Sequence, residues 1–172
     1  MEILRRAYAY EWLQMENDFD LIIIGAGPAG LATALGAKRS GVEKVLVLDQ
    51  QPAIGLQLKG QSIHYRPELL TKIFPKKIPT EAFVGEIKSF GRNYYSPSGK
   101  KSFHLEDNID RVWIDFRLFL TELAKQAVTE NVYLLANSKA TNLVTIPNGR
   151  LHVFIEDMLK NTSEILTSRV VV

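Results

Sequence analysis

Apolar residues are distributed in two different ways along the chain. Phe19 to Ile24 is a short β-branched and aromatic run, and Lys44 to Asp49 holds a second short apolar run. Runs without polar alternation predict strands covered on both faces. Between them, Pro28 to Ser40 reads as a helix, with Pro28 preset for the first turn and Gly41 as its stop. A strand, a helix and a strand within about thirty residues make one β-α-β unit.

From Gln50 to Asp110 the pattern breaks up. Pro52, Pro67, Pro75 and Pro79 interrupt it, which predicts a loop-rich stretch. Glu86 to Tyr95 and Lys100 to Leu105 flank Ser96-Pro97-Ser98-Gly99, the layout of a β-hairpin. Order returns at Phe116 to Val128, where Phe116, Phe119, Leu120, Leu123, Ala124 and Ala127 form the apolar face of a second helix. Val132 to Leu135 follows as a third parallel-type strand. Lys139 to Ile146, Leu151 to Asp157 and Glu164 to Val172 are separated by short turns at Pro147-Asn148-Gly149 and Lys160-Asn161-Thr162. Turns that short predict an antiparallel meander. The last strand reaches Val170-Val171-Val172 with no closing turn, so we expect the chain to be part of a longer polypeptide.

Composition narrows the chemistry. The 172 residues suffice for one core-bearing domain. A net charge of +2 with short, scattered basic pairs gives no footprint for nucleic acid. The absence of cysteine removes disulfides, thiolate metal sites and a redox-active dithiol. Leu21 to Ala37 is uncharged, but its glycines and the preceding Asp18 and Asp20 speak against a membrane span or secretory leader. Met1 to Gln14 carries a crude stripe of Leu4, Tyr8 and Trp12, read as a leader or small amphipathic helix; Met15 is an alternative start.

The chemistry-bearing motif is Gly25-Ala26-Gly27-Pro28-Ala29-Gly30, a G-x-G-x-x-G sequence. A buried strand precedes it, a helix begins inside it, and the next strand ends in an acid, Asp49, followed by Gln50. That combination is the fingerprint of dinucleotide binding. Gly25 permits the tight turn, Gly27 lets a pyrophosphate approach the backbone, and Gly30 lets the helix pack on the sheet. The free amides and dipole of the helix start attract phosphate. Asp49 is the acceptor for ribose hydroxyls. An anion there repels a 2′-phosphate, and Gln50 and Gln51 supply no cation, so NADP is disfavoured.

The stretch Asp20 to Leu31, reading DLIIIGAGPAGL, resembles the N-terminus of FAD-dependent oxidoreductases of the glutathione reductase structural class. Within that class it is similar to geranylgeranyl reductases, electron-transfer-flavoprotein:quinone oxidoreductases and aromatic-ring hydroxylases. The close match covers Phe19 to Asp49. The resemblance implies an α/β, Rossmann-like FAD-binding domain with a parallel central sheet and an antiparallel β-meander, incomplete at its C-terminus. Residues 15–172 would be the N-terminal part of that domain, with 50–110 as a loop and hairpin insertion and 1–14 as a leader. The implied cofactor is FAD, with NAD second. The implied activity is movement of hydride or electrons between flavin and a small organic substrate or quinone. A cytoplasmic site follows, with at most peripheral membrane contact. NAD-dependent dehydrogenases and non-catalytic dinucleotide-binding fragments are the rival readings. The family pattern R-x-x-F-x-x-x-L-x-x-x-A is met at Phe119, Leu123 and Ala127, but Phe116 stands at the arginine position and Arg117 is next to it. Gly60-Gln61-Ser62, where relatives carry a glycine-rich loop, reads as an ordinary turn. His64, His104 and His152 lie in separate segments without metal-ligand spacing. His64 reads as a surface-loop residue, His152 as a strand residue facing solvent or a polar neighbour, and Trp113 as core or hairpin packing. No catalytic residue is identified.

Overall fold

A computed structural model describes residues 17–56, 60–75, 77–88, 91–106 and 110–172. The Met1–Gln14 stripe and the alternative start at Met15 lie outside them. The chain divides into two compact units, one of residues 1–56 and 120–172 and one of residues 57–119.

The first unit is built on a six-stranded sheet. β1 (Asp18–Ile24) leads to α1 (Pro28–Arg39) and β2 (Val45–Leu48). The two strands pair in parallel, Leu21 opposite Val45 and Ile24 opposite Leu48. Every residue of β2 is buried, as expected of an unbroken apolar run. Ile23 lies on the α1 side of the sheet, close to Gly30. Helix α1 buries Leu31, Ala34 and Leu35, one face at i, i+3 and i+4. It ends as a Schellman turn: Gly41, at φ +90°, donates to the Lys38 carbonyl, and Val42 donates to that of Ala37.

The second unit follows in sequence. β3 (Gly60–His64), α2 (Pro67–Ile73), β4 (Phe83–Lys88), β5 (Arg92–Tyr95), β6 (Ser102–Leu105) and β7 (Asp110–Asp115) lie there. β7 is the middle of an antiparallel sheet in the order β3-β7-β4, whereas β5 and β6, among the described residues, pair only with each other. The loop-rich expectation for this stretch is therefore corrected. Glu86 to Lys88 belongs to β4, so the hairpin begins at Arg92 and not at Glu86. Gly60-Gln61-Ser62 is strand, paired with Asp115, Ile114 and Trp113, and not a turn. Trp113 is also corrected: alternation along β7 buries Val112 and Ile114 and leaves Trp113 46% exposed on the other face. Leu70, Phe74, Ala82, Val112, Ile114, Phe116 and Phe119 are buried, with Phe74 and Phe119 edge to face at 5.6 Å.

Helix α3 (Phe116–Thr129) returns to the first unit, where Leu120, Leu123, Ala124 and Ala127 are buried. Asn131, at φ 59°, stops it in the same way that Gly41 stops α1, with Val132 donating to the Ala127 carbonyl. β8 (Tyr133–Leu135) then pairs in parallel with β2. β9 (Ser138–Thr145), β10 (Leu151–Asp157) and β11 (Thr162–Val171) form the antiparallel meander, and β11 runs parallel to β1. The sheet order is β8-β2-β1-β11-β10-β9. The fold is thus Rossmann-like α/β with a parallel centre and a meander on one side, as the sequence predicts. The core beneath it joins Phe19, Ile22, Leu46, Leu48, Leu135, Val153, Ile155 and Leu166. Among the described residues no helix is long and apolar enough to cross a membrane. The uncharged run from Leu21 to Ala37 is divided among β1, the glycine turn and α1.

Candidate functional site

The glycine sequence lies between the end of a central parallel strand and the start of a helix. Gly25 leaves β1 at φ +110°, a region that L side chains avoid, and its amide donates to the Leu48 carbonyl at 2.7 Å. Gly27 is the N-cap of α1 and Pro28 stands in its first turn. The first helical hydrogen bond runs from the Leu31 amide to the Gly27 carbonyl at 3.0 Å. Among the described residues, the amides of Gly27, Ala29 and Gly30 donate to no acceptor, and no side chain caps the helix. Those donors and the partial positive end of the helix give the mouth of α1 the chemistry that attracts an anion.

Two glycines of the motif occupy opposite environments. A Cβ on Gly30 would lie 2.0 Å from the Gly25 carbonyl oxygen and 3.3 Å from Ile23 Cγ2. Helix and turn can approach this closely only without a side chain there. A Cβ on Gly27 would meet nothing within 4 Å. The space at Gly27 is open, where a ligand could approach the backbone.

Asp49 sits at the end of β2 and reaches across to the loop. Its Oδ2 accepts the Ala26 amide at 2.7 Å, and its Oδ1 accepts the Gln51 amide at 2.8 Å. Each oxygen thereby keeps a lone pair for a further donor. The acid predicted to meet a ribose is therefore beside the helix mouth. It also braces the loop, a role the sequence reading missed. Ala26, in turn, is buried with its amide already engaged, so among the six motif residues its contribution is to anchor the loop. Pro28 and Ala29 are exposed at the mouth, and Gln50 is exposed next to Asp49.

The strand end carrying Asp49 is fixed from behind. Its amide donates to the Leu135 carbonyl, its carbonyl accepts from Ser138, and the Gln51 carbonyl accepts from Asn137, each at 2.9 Å. Asn137 takes φ 57° to turn β8 into β9. These are backbone bonds, and no residue pattern announces them. Arg39 makes a two-pronged ion pair with Glu130, its Nε 2.8 Å from Oε2, tying the end of α1 to the turn after α3. Phe119, Leu123 and Ala127 are buried as helix packing, and Arg117 is exposed. His64 and His104 are exposed, His104 Nδ1 lying 2.8 Å from Asn93 Oδ1, and His152 is half-buried in β10.

Comparison with known proteins agrees with this geometry. The model of a family described as an NAD(P)-binding Rossmann-like domain matches residues 23–74. A digeranylgeranylglycerophospholipid reductase of Picrophilus torridus is 36% identical over 95 residues, which are 53% of this chain and 22% of that protein. Another, from Methanococcus vannielii, is 26% identical over 149 residues, 85% of this chain and 35% of its own length. Among solved structures, a geranylgeranyl bacteriochlorophyll reductase-like protein of Thermoplasma acidophilum superposes with a TM-score of 0.64 at 22% identity, covering 90% of this chain and 38% of that one. The chain thus spans about a fifth to a third of the length of these curated relatives.

Proposed function

We propose that β1-α1-β2 holds the ADP half of FAD, and that the protein to which this chain belongs is an FAD-dependent oxidoreductase. The observation that carries the reading is the Asp49 carboxylate bonded to the Ala26 amide, beside a helix mouth with three unengaged donors. A diphosphate fits the Gly27, Ala29 and Gly30 amides, and its adjoining ribose fits the spare lone pairs of Asp49. The open space at Gly27 is what a pyrophosphate needs.

When bound, FAD would supply redox chemistry at its ring system, which lies at the other end of the cofactor from these residues. The contribution of this chain is to bind and orient: helix amides against phosphate charge, a carboxylate against hydroxyls. The relatives named as reductases support a reaction that moves hydride or electrons between flavin and an organic substrate. An isoprenoid lipid matches the names of the relatives best; a quinone or an aromatic ring fits the same fold.

Titration of the purified protein with FAD, ADP and NAD tests this reading. FAD and ADP should bind. Gly27→Val should weaken both by at least ~10-fold, because its side chain would fill the open approach, while the melting temperature stays within a few degrees. Tight NAD binding without FAD binding would instead favour the dehydrogenase reading. Unchanged FAD affinity in Gly27→Val would remove the proposed site.

A further inference from the structure

The β5–β6 hairpin stands apart from the rest of its unit in what it exposes. All four residues of β6 are exposed, and so are Asn93, Tyr94 and Tyr95 of β5. Among the described residues both strands pair only with each other. A lone two-stranded ribbon is marginal in water, because it has no hydrophobic face covered by another layer. This one is held by local devices: the Ser96 amide donates to the Lys101 carbonyl at 2.8 Å, and the Tyr94 and Phe103 rings stack with centroids 4.8 Å apart and planes 11° from parallel.

Register decides which side chains share a face. Tyr94 opposes Phe103 and Arg92 opposes Leu105, so these four lie on one side of the ribbon. Phe103 is 62% exposed, and Tyr94 and Leu105 are exposed too. Lys100 and Lys101 follow the turn at Ser96–Gly99. Arg92, Lys100 and Lys101 put three cations in residues 91–105, which contain no aspartate or glutamate. The ribbon therefore presents an aromatic, apolar face with the cations of Lys100 and Lys101 beside its turn, while the exposed Glu106 follows the far end of β6.

We propose that this face docks on an anionic lipid surface. Tyrosine and phenylalanine beside lysine and arginine are the side chains that settle at a bilayer–water boundary: rings enter the headgroup region and cations meet lipid phosphates. A protein partner fits less well. Strands of four residues give one face of on the order of 150 Å², far below the ~800 Å² per partner of a stable protein complex. A bilayer sets no such minimum, since shallow insertion of a few rings and neutralisation of a few charges add up to reversible attachment. The inference does not depend on the nucleotide site.

Vesicle co-sedimentation of the purified protein tests it. Binding to mixed phosphatidylcholine–phosphatidylglycerol vesicles should exceed binding to phosphatidylcholine alone, and should fall as salt is raised. Lys100→Ala with Lys101→Ala should lower the affinity roughly 30-fold. Phe103→Ser should lower it about 10-fold, and Leu105→Ser, which leaves the Tyr94–Phe103 stack in place, should lower it in the same direction with the melting temperature within a few degrees. Binding indifferent to lipid charge, or unaltered in these variants, overturns the proposal. So does a concentration-dependent dimer in sedimentation velocity that Phe103→Ser abolishes while vesicles stay unbound, since the face would then belong to a second copy of the chain. FAD affinity measured on the same variants should not change, which keeps this test separate from that of the nucleotide site.

Discussion

β2 and β6 are both four-residue strands, yet they sit at opposite extremes. Every residue of β2 is buried, and every residue of β6 is exposed. Sequence explains the contrast: Val45-Leu46-Val47-Leu48 has no polar side chain, while Ser102-Phe103-His104-Leu105 alternates polar and apolar. The first strand is fixed by its neighbours on both faces and can carry a site rigidly. The second is fixed by one partner strand and can only present a surface. A site that must hold a cofactor to a fraction of an ångström belongs on the first kind of element, and an adaptable contact on the second.

The sharpest way to break this contrast is to disturb the turn above β1. Gly30→Val places a side chain inside the Gly25 carbonyl, so we expect a loss of at least about 3 kcal/mol, a melting temperature lower by roughly 10 °C, and loss of FAD binding together with it. Gly27→Val, three residues earlier, should shift the melting temperature by no more than a few degrees; calorimetry of the pair separates packing from ligand approach. Asp49→Ala should have the next largest effect. It strips acceptors from two backbone amides, which predicts about 2 kcal/mol in urea unfolding, and it should weaken ADP binding about tenfold. Ordinary stability with weakened binding would restrict Asp49 to ligand contact and deny it the bracing role. The smallest effect marks the other side of the comparison. Ile22→Val in the core should cost about 1 kcal/mol, whereas Tyr95→Ser, 68% exposed on the hairpin, should stay within about 0.5 kcal/mol in the same assay.

What could be read from the residues follows the same division. β1, α1, β2, α3, β8 and the meander were legible because each carries an apolar period or a short apolar run, and β1, α1 and α3 are closed by Gly25, Gly41 and Asn131. The small sheet of the second unit was not. Gly60-Gln61-Ser62-Ile63-His64 has one large apolar residue, and β4 holds Gly85 in its middle. Val84 lies at a register shift between Phe83 and Gly85 and is 69% exposed, so no alternation survives there. Those strands exist because β7 lies between them, and pairing of that kind leaves no local trace. At the site, the glycines and Asp49 were visible as residue types at a spacing. The bonds from Asp49 to Ala26 and Gln51 were not, since their donors are backbone amides.

The pairing of β1 with β11 reaches further. Thr167 donates to the Asn17 carbonyl, and Ile24 donates to that of Val172, so the two flanks of the innermost parallel strand are supplied by widely separated parts of the polypeptide. On a ribosome, β1 can zip to β2 as soon as both have emerged, but its other edge stays bare until β11 has been made. Closing a loop of that size is slow, and a bare apolar edge is prone to wrong pairing in the meantime. Pulse-labelled hydrogen exchange during refolding should therefore protect the β9–β10 amides before the amides that join β1 to β11; simultaneous protection would mean that the sheet assembles as one unit.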